Sequence, residues 1–235
     1  MQKKILLVLA GGFGTRLASI SNGCPKILMP IGDQPFLYYQ LKFWKHQGFR
    51  NIFFLLHHKA KEIEACILSQ SQAFGADLEL KSIVEASPLG TGGAVLHALG
   101  QLEESSQVVV VNGDTYIEGD LEPLMSVASP TLAYFEMKSE PRFSEIKIAE
   151  NGYVKGIAKC AEPGKLTKVY AGIAAFSVSD FSDRNIIQIS FEELVCDRLI
   201  RNGVSATKII GKFTDIGTPE AYQSFNNKFT PNHEA

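Results

Sequence analysis

Four short apolar runs constrain this chain most: "KILLVLA" from Lys4, "NIFFLLH" from Asn51, "LELKSIVE" from Leu78 and "QVVVVNGD" from Gln107. Each is of strand length and bounded by turn signals. The segments between them carry a helical period instead. Leu37, Leu41 and Trp44 fall on one face, with Gly48 as the stop; Ile63, Cys66 and Ile67 repeat the pattern, and so do Ala94, Val95, Ala98, Leu99 and Leu102. Strands alternating with helices of that length predict parallel βαβ units, and fully apolar strands predict a sheet covered on both faces. Ligands on such sheets sit beyond the carboxyl ends of the strands. From Thr131 the text turns β-rich, in "TLAYFEMK", "SEIKIAE", "YVKGIAK" and "KVYAGIAAF", before a helix in "SFEELVCDRLIRNG" and a terminal "KFTDIGTPEAYQSF". This half is expected to extend the sheet and wall the same crevice. "TPNHEA" reads as a frayed tail.

Charge excludes some partners. With 25 acidic against 23 basic residues the net charge is −2, which leaves no footprint for nucleic acid or an anionic membrane. No apolar run nears the ~18 to 20 residues that span a bilayer. Cys24, Cys66, Cys160 and Cys196 form no C-x-x-C, so a reduced, cytoplasmic compartment is expected, with the thiols as core filler.

The chemistry concentrates at four places. "LAGGFGTRL" follows the first strand and holds Ala10, Gly11, Gly12, Gly14, Thr15 and Arg16. Its spacing fits neither G-x-G-x-x-G nor G-x-x-x-x-G-K-[ST], so it is another kind of phosphate cradle or a tight turn. Its backbone N–H groups suit phosphate oxygens, and Arg16 adds a bidentate cation. "CPKILMP" places Lys26 behind a restricting proline. "EASPLGTGGA" holds Glu85, Pro88, Gly90 and Thr91 at a helix start, where Gly90, Gly92 and Gly93 would let a flat base press on the main chain and Thr91 would cap the helix. "VVVVNGDTY" brings Gly113 and Asp114 to the ligand end of a buried strand, and "FTDIGTPEAY" offers a second carboxylate, Asp215. Two carboxylates with Arg16 and Lys26 describe a magnesium-dependent phosphoryl or nucleotidyl transfer site. His57 and His58 have no metal-ligand companion, and no Ser-His-Asp or Cys-His arrangement is legible.

Assembled in order, "GGFGTRL", "PK", "LGTGGA", "NGD" and "DIGTPEAY" resemble the sugar-1-phosphate nucleotidyltransferases, also called nucleotide-sugar pyrophosphorylases. The resemblance implies a doubly wound, mostly parallel mixed α/β sheet of Rossmann-like, GT-A type. It implies one domain over residues 1–228, with a nucleotide-binding half at 1–130, a sugar-phosphate half at 131–228 and a tail at 229–235. A nucleoside triphosphate binds first. The phosphate of a sugar 1-phosphate then attacks the α-phosphorus in line, and pyrophosphate leaves. By position, Ala10, Gly11, Gly12, Gly14, Thr15, Glu85, Pro88, Gly90, Thr91 and Gly113 would line the nucleotide. Arg16 would hold the departing phosphates and Lys26 the phosphates in transfer, while Asp114 and Asp215 would hold Mg²⁺, for which Mn²⁺ can substitute. Lys159 and Gly172 would meet the sugar phosphate. The chain departs from the family where N-A-G-x-Y is replaced by Tyr170, Ala171, Gly172, Ile173 and Ala174, and it has no clean E-K-P around Lys159.

Within the family, the compact length, "EASPLGTGGA", "NGDTY", "SFEELV" and "TDIGTPEAY" are most similar to the branch that makes GDP-D-glycero-α-D-manno-heptose from GTP and the heptose 1-phosphate. Alternatives are a mannose-1-phosphate guanylyltransferase, an amino-sugar-1-phosphate uridylyltransferase and, in another class, a non-catalytic sugar-nucleotide-sensing subunit. Retention of Arg16, Lys26, Asp114 and Asp215 argues against the last. Glu85 stands where thymidylate-transferring members have a glutamine. A carboxylate only accepts, which suits the paired N1–H and N2–H donors of guanine better than the O4 of uracil. A homodimer is a further expectation.

Overall fold

The computed structural model describes residues 3–126 and 130–229. Its strands are β1 (Lys4–Leu9), β2 (Pro30–Ile31), β3 (Gln34–Pro35), β4 (Asn51–Leu56), β5 (Glu79–Val84), β6 (Gln107–Asn112), β7 (Thr115–Gly119), β8 (Thr131–Lys138), β9 (Ser144–Ile148), β10 (Val154–Lys159), β11 (Leu166–Ser177), β12 (Ser205–Lys208) and β13 (Gly211–Asp215). Nine of them form one sheet, in the order β10-β9-β11-β6-β1-β4-β5, with β8 also on β11 and β12 on β8. The first four long strands are parallel, β1 pairing with both β4 and β6 and β4 with β5. β8, β9, β10 and β11 continue the sheet antiparallel, through β11 against β6, and β12 joins β8 in parallel. This is a mostly parallel mixed α/β sheet of Rossmann-like kind.

Alternation along β1 shows why these runs are apolar throughout. Leu6 and Val8 pack on one face with Leu37, Leu41, Trp44, Ile63 and Ile67. Ile5 and Leu7 pack on the other with Ala94, Val95, Ala98 and Leu99. Helices Phe36–His46 and Ala60–Phe74 cover the first face, and Gly90–Leu99 covers the second. Each such Leu, Ile or Val side chain contributes about 1.5 to 3 kcal/mol on burial. Gly48 stops the first helix at φ +87°, a left-handed conformation that costs glycine least. Leu102 falls beyond the third helix, which ends at Leu99, because its last turn closes through Gly100 N–H to the Leu96 carbonyl.

The stretch predicted as one helix from Ser190 is more varied. A capping box between Ser190 and Glu193 starts Phe191–Leu194, and the chain then widens into a π turn over Val195–Leu199 and tightens into a 3₁₀ turn over Ile200–Asn202.

Two small pairings lay outside the sequence reading. β2 and β3 form a two-stranded hairpin after Lys26, and β7 pairs antiparallel with β13. The terminal helix Pro219–Phe229 seals both, since Phe225 and Ile216 bury with Ile31 and Phe36 against Tyr39, Tyr116, Tyr222 and Phe229. Phe229 closes this helix, and the rest of the predicted tail, from Thr230, lies outside the described residues. No helix among the described residues is long and apolar enough to cross a membrane.

Candidate functional site

A cleft of about 540 Å³ opens at the carboxyl ends of β1, β4 and β6. Ala10, Gly11, Gly12, Arg16, Lys26, Glu85, Pro88, Gly90, Thr91, Gly113, Asp114, Lys159, Gly172 and Asp215 all line it. Gly14 and Thr15 do not. Gly14 instead turns the loop at φ +66° into the 3₁₀ turn Thr15–Leu17, and its Cα faces the stem of Lys26. The rest of the loop lies tight on β4, with the Ala10 N–H bonded to the Leu55 carbonyl and the Gly11 carbonyl accepting from the His58 N–H at 3.3 Å. A Cβ at Gly11 would stand 3.0 Å from the His57 nitrogen, whereas one at Gly12 would meet nothing within 4 Å. Gly12 is therefore the open glycine, where a ligand can approach the main chain.

The two aspartates meet because β7 pairs with β13 in a register that sets Thr115 opposite Asp215, and the Ile216 N–H donates to the Asp114 carbonyl at 3.0 Å. Each has its own cation. Lys26 Nζ lies 2.7 Å from Asp114 Oδ2, and Arg142 Nη1 lies 3.4 Å from Asp215 Oδ2. Burial first, and then the Asp114 charge, hold the Asp215 carboxyl above its ordinary range, against the opposing pull of the Gly217 N–H, Arg142 and Lys26. Gly217 must be small, because a Cβ there would stand 2.6 Å from Asp215 Oδ1 and 3.1 Å from Arg16 Nη2. Arg16 thus closes the same corner.

Among the described residues, no group of three or more His, Cys, Asp or Glu gathers as an all-protein metal cage. What the cleft has is a repelling pair of hard carboxylates with side chains 22% and 14% exposed. That donor set fits Mg²⁺, which keeps waters and binds through one or two carboxylates together with substrate phosphates.

The glycine-rich helix start differs from expectation. Gly90, Gly92 and Gly93 press on the chain at Ile187–Ser190, where a Cβ would stand 2.6 Å from the Ile189 carbonyl oxygen, 2.6 Å from that of Ser190 and 2.5 Å from that of Ile187, respectively. Their missing side chains make room for protein rather than for a base. Thr91 does not cap its own helix either; its Oγ1 accepts from the Phe191 N–H at 2.8 Å, at the start of the helical turn Phe191–Leu194. The turn before Gly90 is held by Glu85, which is 8% exposed and accepts from the Leu89 N–H at 2.9 Å through Oε2. One carboxylate oxygen of Glu85 is thus engaged within its own turn. His57 also lines the cleft, with Nδ1 3.3 Å from the Glu85 carbonyl.

Several residues were not legible in the sequence. Gln40, 1% exposed in a helix, donates through Nε2 to the carbonyls of Gly113 at 3.2 Å and Thr115 at 3.1 Å, and so clamps the Asp114 loop. Its place on the buried stripe of its helix was the available signal. Arg142, Ser144, Tyr170 and Glu192 join Lys159 and Gly172 on the far wall. Ser144 Oγ donates to Glu192 Oε1 at 2.9 Å. Tyr170 stands where the family pattern has an asparagine, and its hydroxyl is buried without a hydrogen-bond partner among the described residues. Burial, with Glu192 and Cys196 nearby, raises that phenol well above its ordinary range. Gly172 takes φ +71° in a bulge of β11, and a Cβ there would press into the side-chain amide of Asn112. Lys159 is exposed at the end of β10.

A glycine loop, a paired carboxylate centre and flanking cations at the strand ends define a phosphoryl-handling site, and the sequence matches the nucleotidyl transferase family over residues 5–232. The chain belongs to that family and is an enzyme of its nucleotidyl-transferring class. It is 29% identical to a D-glycero-alpha-D-manno-heptose 1-phosphate guanylyltransferase of Campylobacter jejuni, over 93% of this chain and 97% of that one. Identity is 31% with the protein of the same name from Aneurinibacillus thermoaerophilus, over 92% of this chain and 94% of that one. The structure of HddC from Yersinia pseudotuberculosis complexed with GMP-PN superposes with a TM-score of 0.81 at 30% identity, covering 96% of this chain and 99% of that one.

Proposed function

We propose that the chain transfers GMP from GTP to D-glycero-α-D-manno-heptose 1-phosphate, forming GDP-heptose and pyrophosphate. The observation that carries this reading is the carboxylate pair with its cations, set beside the open Gly12 main chain in a cleft of about 540 Å³. Similarity to two heptose 1-phosphate guanylyltransferases over more than nine-tenths of the chain supports the choice of base and sugar.

In this reading residues 1–130 hold the nucleotide and 131–228 the sugar phosphate, within one domain. A phosphate oxygen of the sugar 1-phosphate forms a bond to the α-phosphorus as the bond from that phosphorus to the β-phosphate bridging oxygen breaks, and pyrophosphate carries away the electron pair. Arg16 faces the departing phosphates. Lys26 balances charge on the phosphoryl group in transfer, and Lys159 and the Gly172 bulge face the sugar phosphate. Asp114 and Asp215 would hold Mg²⁺, which when bound draws charge from the phosphate oxygens. Glu85 Oε1 takes a guanine N–H while Oε2 stays on Leu89. A reducing, cytoplasmic setting suits the four free thiols. Oligomeric state, a homodimer in our reading, is measured by light scattering.

The test is pyrophosphate release with four triphosphates against heptose, mannose, glucose and N-acetylated sugar 1-phosphates. Fastest turnover with GTP and the heptose phosphate is expected. Preference for mannose 1-phosphate or for UTP overturns the substrate assignment, and no release with any pair overturns the activity.

A further inference from the structure

Arg142 belongs to none of the motifs, yet it is the cation of the second aspartate. Its Nη1 lies 3.4 Å from Asp215 Oδ2 and donates to the Asp215 main-chain carbonyl at 3.1 Å. Its Nε donates to Glu140 Oε2 at 2.7 Å, and the guanidinium carbon stands 4.6 Å from the centre of the Phe143 ring. These contacts fix the plane of the guanidinium at the cleft wall with the side chain 20% exposed. Nη2 has no hydrogen bond among the described residues.

We infer that Arg142 is a positioning residue with two stations. In the metal-free cleft it holds Asp215 by its carbonyl and supplies the countercharge of its carboxylate; once a divalent cation takes over that carboxylate, the guanidinium turns to the phosphate of the sugar 1-phosphate. This rests on the reading of Asp114 and Asp215 as the metal pair.

The argument is one of charge. Asp114 and Asp215 repel each other; Lys26 pairs with Asp114, while Arg142, held on its Nε side by Glu140, pairs with Asp215 in the corner that Arg16 also closes. An arginine cannot shed its proton to make way for another cation, so a divalent ion on Asp215 sets Arg142 against it. The charge that arrives with the substrates is phosphate, which the planar fork of arginine matches at two points. Arg142 is suited to receive it, since it lines the same wall as Gly172 and Lys159.

Two opposite effects follow from removing it. Arg142→Ala takes away a competitor of the metal, so Mn²⁺ should bind about three- to tenfold tighter. It also takes away a charge-assisted phosphate contact, so KM for the sugar 1-phosphate should rise about tenfold or more, with KM for GTP within about twofold of wild type. A merely structural arginine would weaken all three. Arg142→Lys keeps the charge without the fork, so Mn²⁺ affinity should stay near wild type and the sugar-phosphate KM should fall between the other two. If the alanine variant fails to fold, the lysine variant alone carries the comparison.

The experiment titrates Mn²⁺ by electron paramagnetic resonance against wild type, both Arg142 variants and Asp215→Asn. It then measures both KM values with the sugar 1-phosphate turned over fastest in the panel above. Mn²⁺ affinity that depends on Asp215 but is no tighter in Arg142→Ala overturns the inference alone, as does a joint rise of the two KM values. With the lysine variant alone, a sugar-phosphate KM equal to wild type overturns it. Mn²⁺ affinity unchanged in Asp215→Asn overturns the metal-pair reading and the inference with it.

Discussion

In the proposed reaction, single residues in this cleft act through charge placed beside the phosphoryl group in transfer. Lys26 is held 2.7 Å from Asp114, and Arg16 lies against Gly217 beside Asp215. Removing one such cation typically costs about 100- to 1,000-fold in turnover, or about 3 to 4 kcal/mol of transition-state stabilisation. Lys26→Ala and Arg16→Ala should each lose that much kcat while melting within a few degrees of wild type. Steady-state rates and melting curves on the same samples check this, and near-normal rates in both variants would refute the mechanism. Glu85 gives a finer test. Glu85→Gln keeps a carbonyl oxygen for the Leu89 N–H, so the turn survives, but an amide no longer favours guanine donors over uracil. The ratio of kcat/KM for GTP to that for UTP should shrink about tenfold or more. An unchanged ratio would mean that the main chain alone reads the base.

At the scale of elements, the aspartates are aimed by pieces that contribute little burial of their own. The loop Gly113–Thr115 hangs from Gln40, whose side chain bonds two of its carbonyls from inside the core. Gln40→Met preserves the volume and strands both buried acceptors, at about 1 to 3 kcal/mol each. A loss of roughly 2 to 6 kcal/mol in denaturant unfolding is expected, together with a lower kcat from a misplaced Asp114. Stability equal to wild type would show that the two carbonyls find other donors. The elements also show what could be read in advance. The strands of the main sheet follow from apolar runs whose alternate residues bury on opposite faces, and the long helices follow from their 3.6-residue stripes. β2 and β3 have no such signal, because two-residue strands carry too few side chains to show a period, and the pairing of β7 with β13 joins segments remote in sequence, a choice of partner that periodicity does not encode. Thr91 and the glycines around it suited a base platform in one dimension. Only the arrival of Ile187–Ser190 against them assigns that space to protein.

Across the whole molecule the chain accepts a local electrostatic cost at the cleft. Burial and Asp114 raise the Asp215 carboxyl, so the folded chain binds that proton more tightly than the unfolded chain does. The resulting stabilisation is present below the ordinary carboxylate pKa and is lost as pH rises through the raised folded value. In chelator near neutral pH, Asp215→Asn should therefore melt above wild type, and the gap should close as the solution is acidified. Mg²⁺ should raise the melting temperature of the wild type and leave the variant unmoved. Calorimetry across pH, with and without the ion, decides it, and an Asn variant that melts lower at neutral pH would contradict the reading.

What the sequence determined by itself was whatever local pattern encodes: parallel units from runs and stripes, glycine loops at strand ends, and the types of side chain that handle phosphate. Lys26 and Asp114 were recognisable by their neighbours in the text. The resemblance led Asp114 and Asp215 to be expected together, but the strand register that joins them, the pairing of Arg142 with Asp215 and the hold of Gln40 on the Asp114 loop were decided by tertiary structure. Those contacts join β7 to β13, the turn before β9 to the end of β13, and a helix interior to a distant turn. Their energy lies in charge and hydrogen bonds between segments remote in sequence, and such terms leave no periodicity for a linear reading to find.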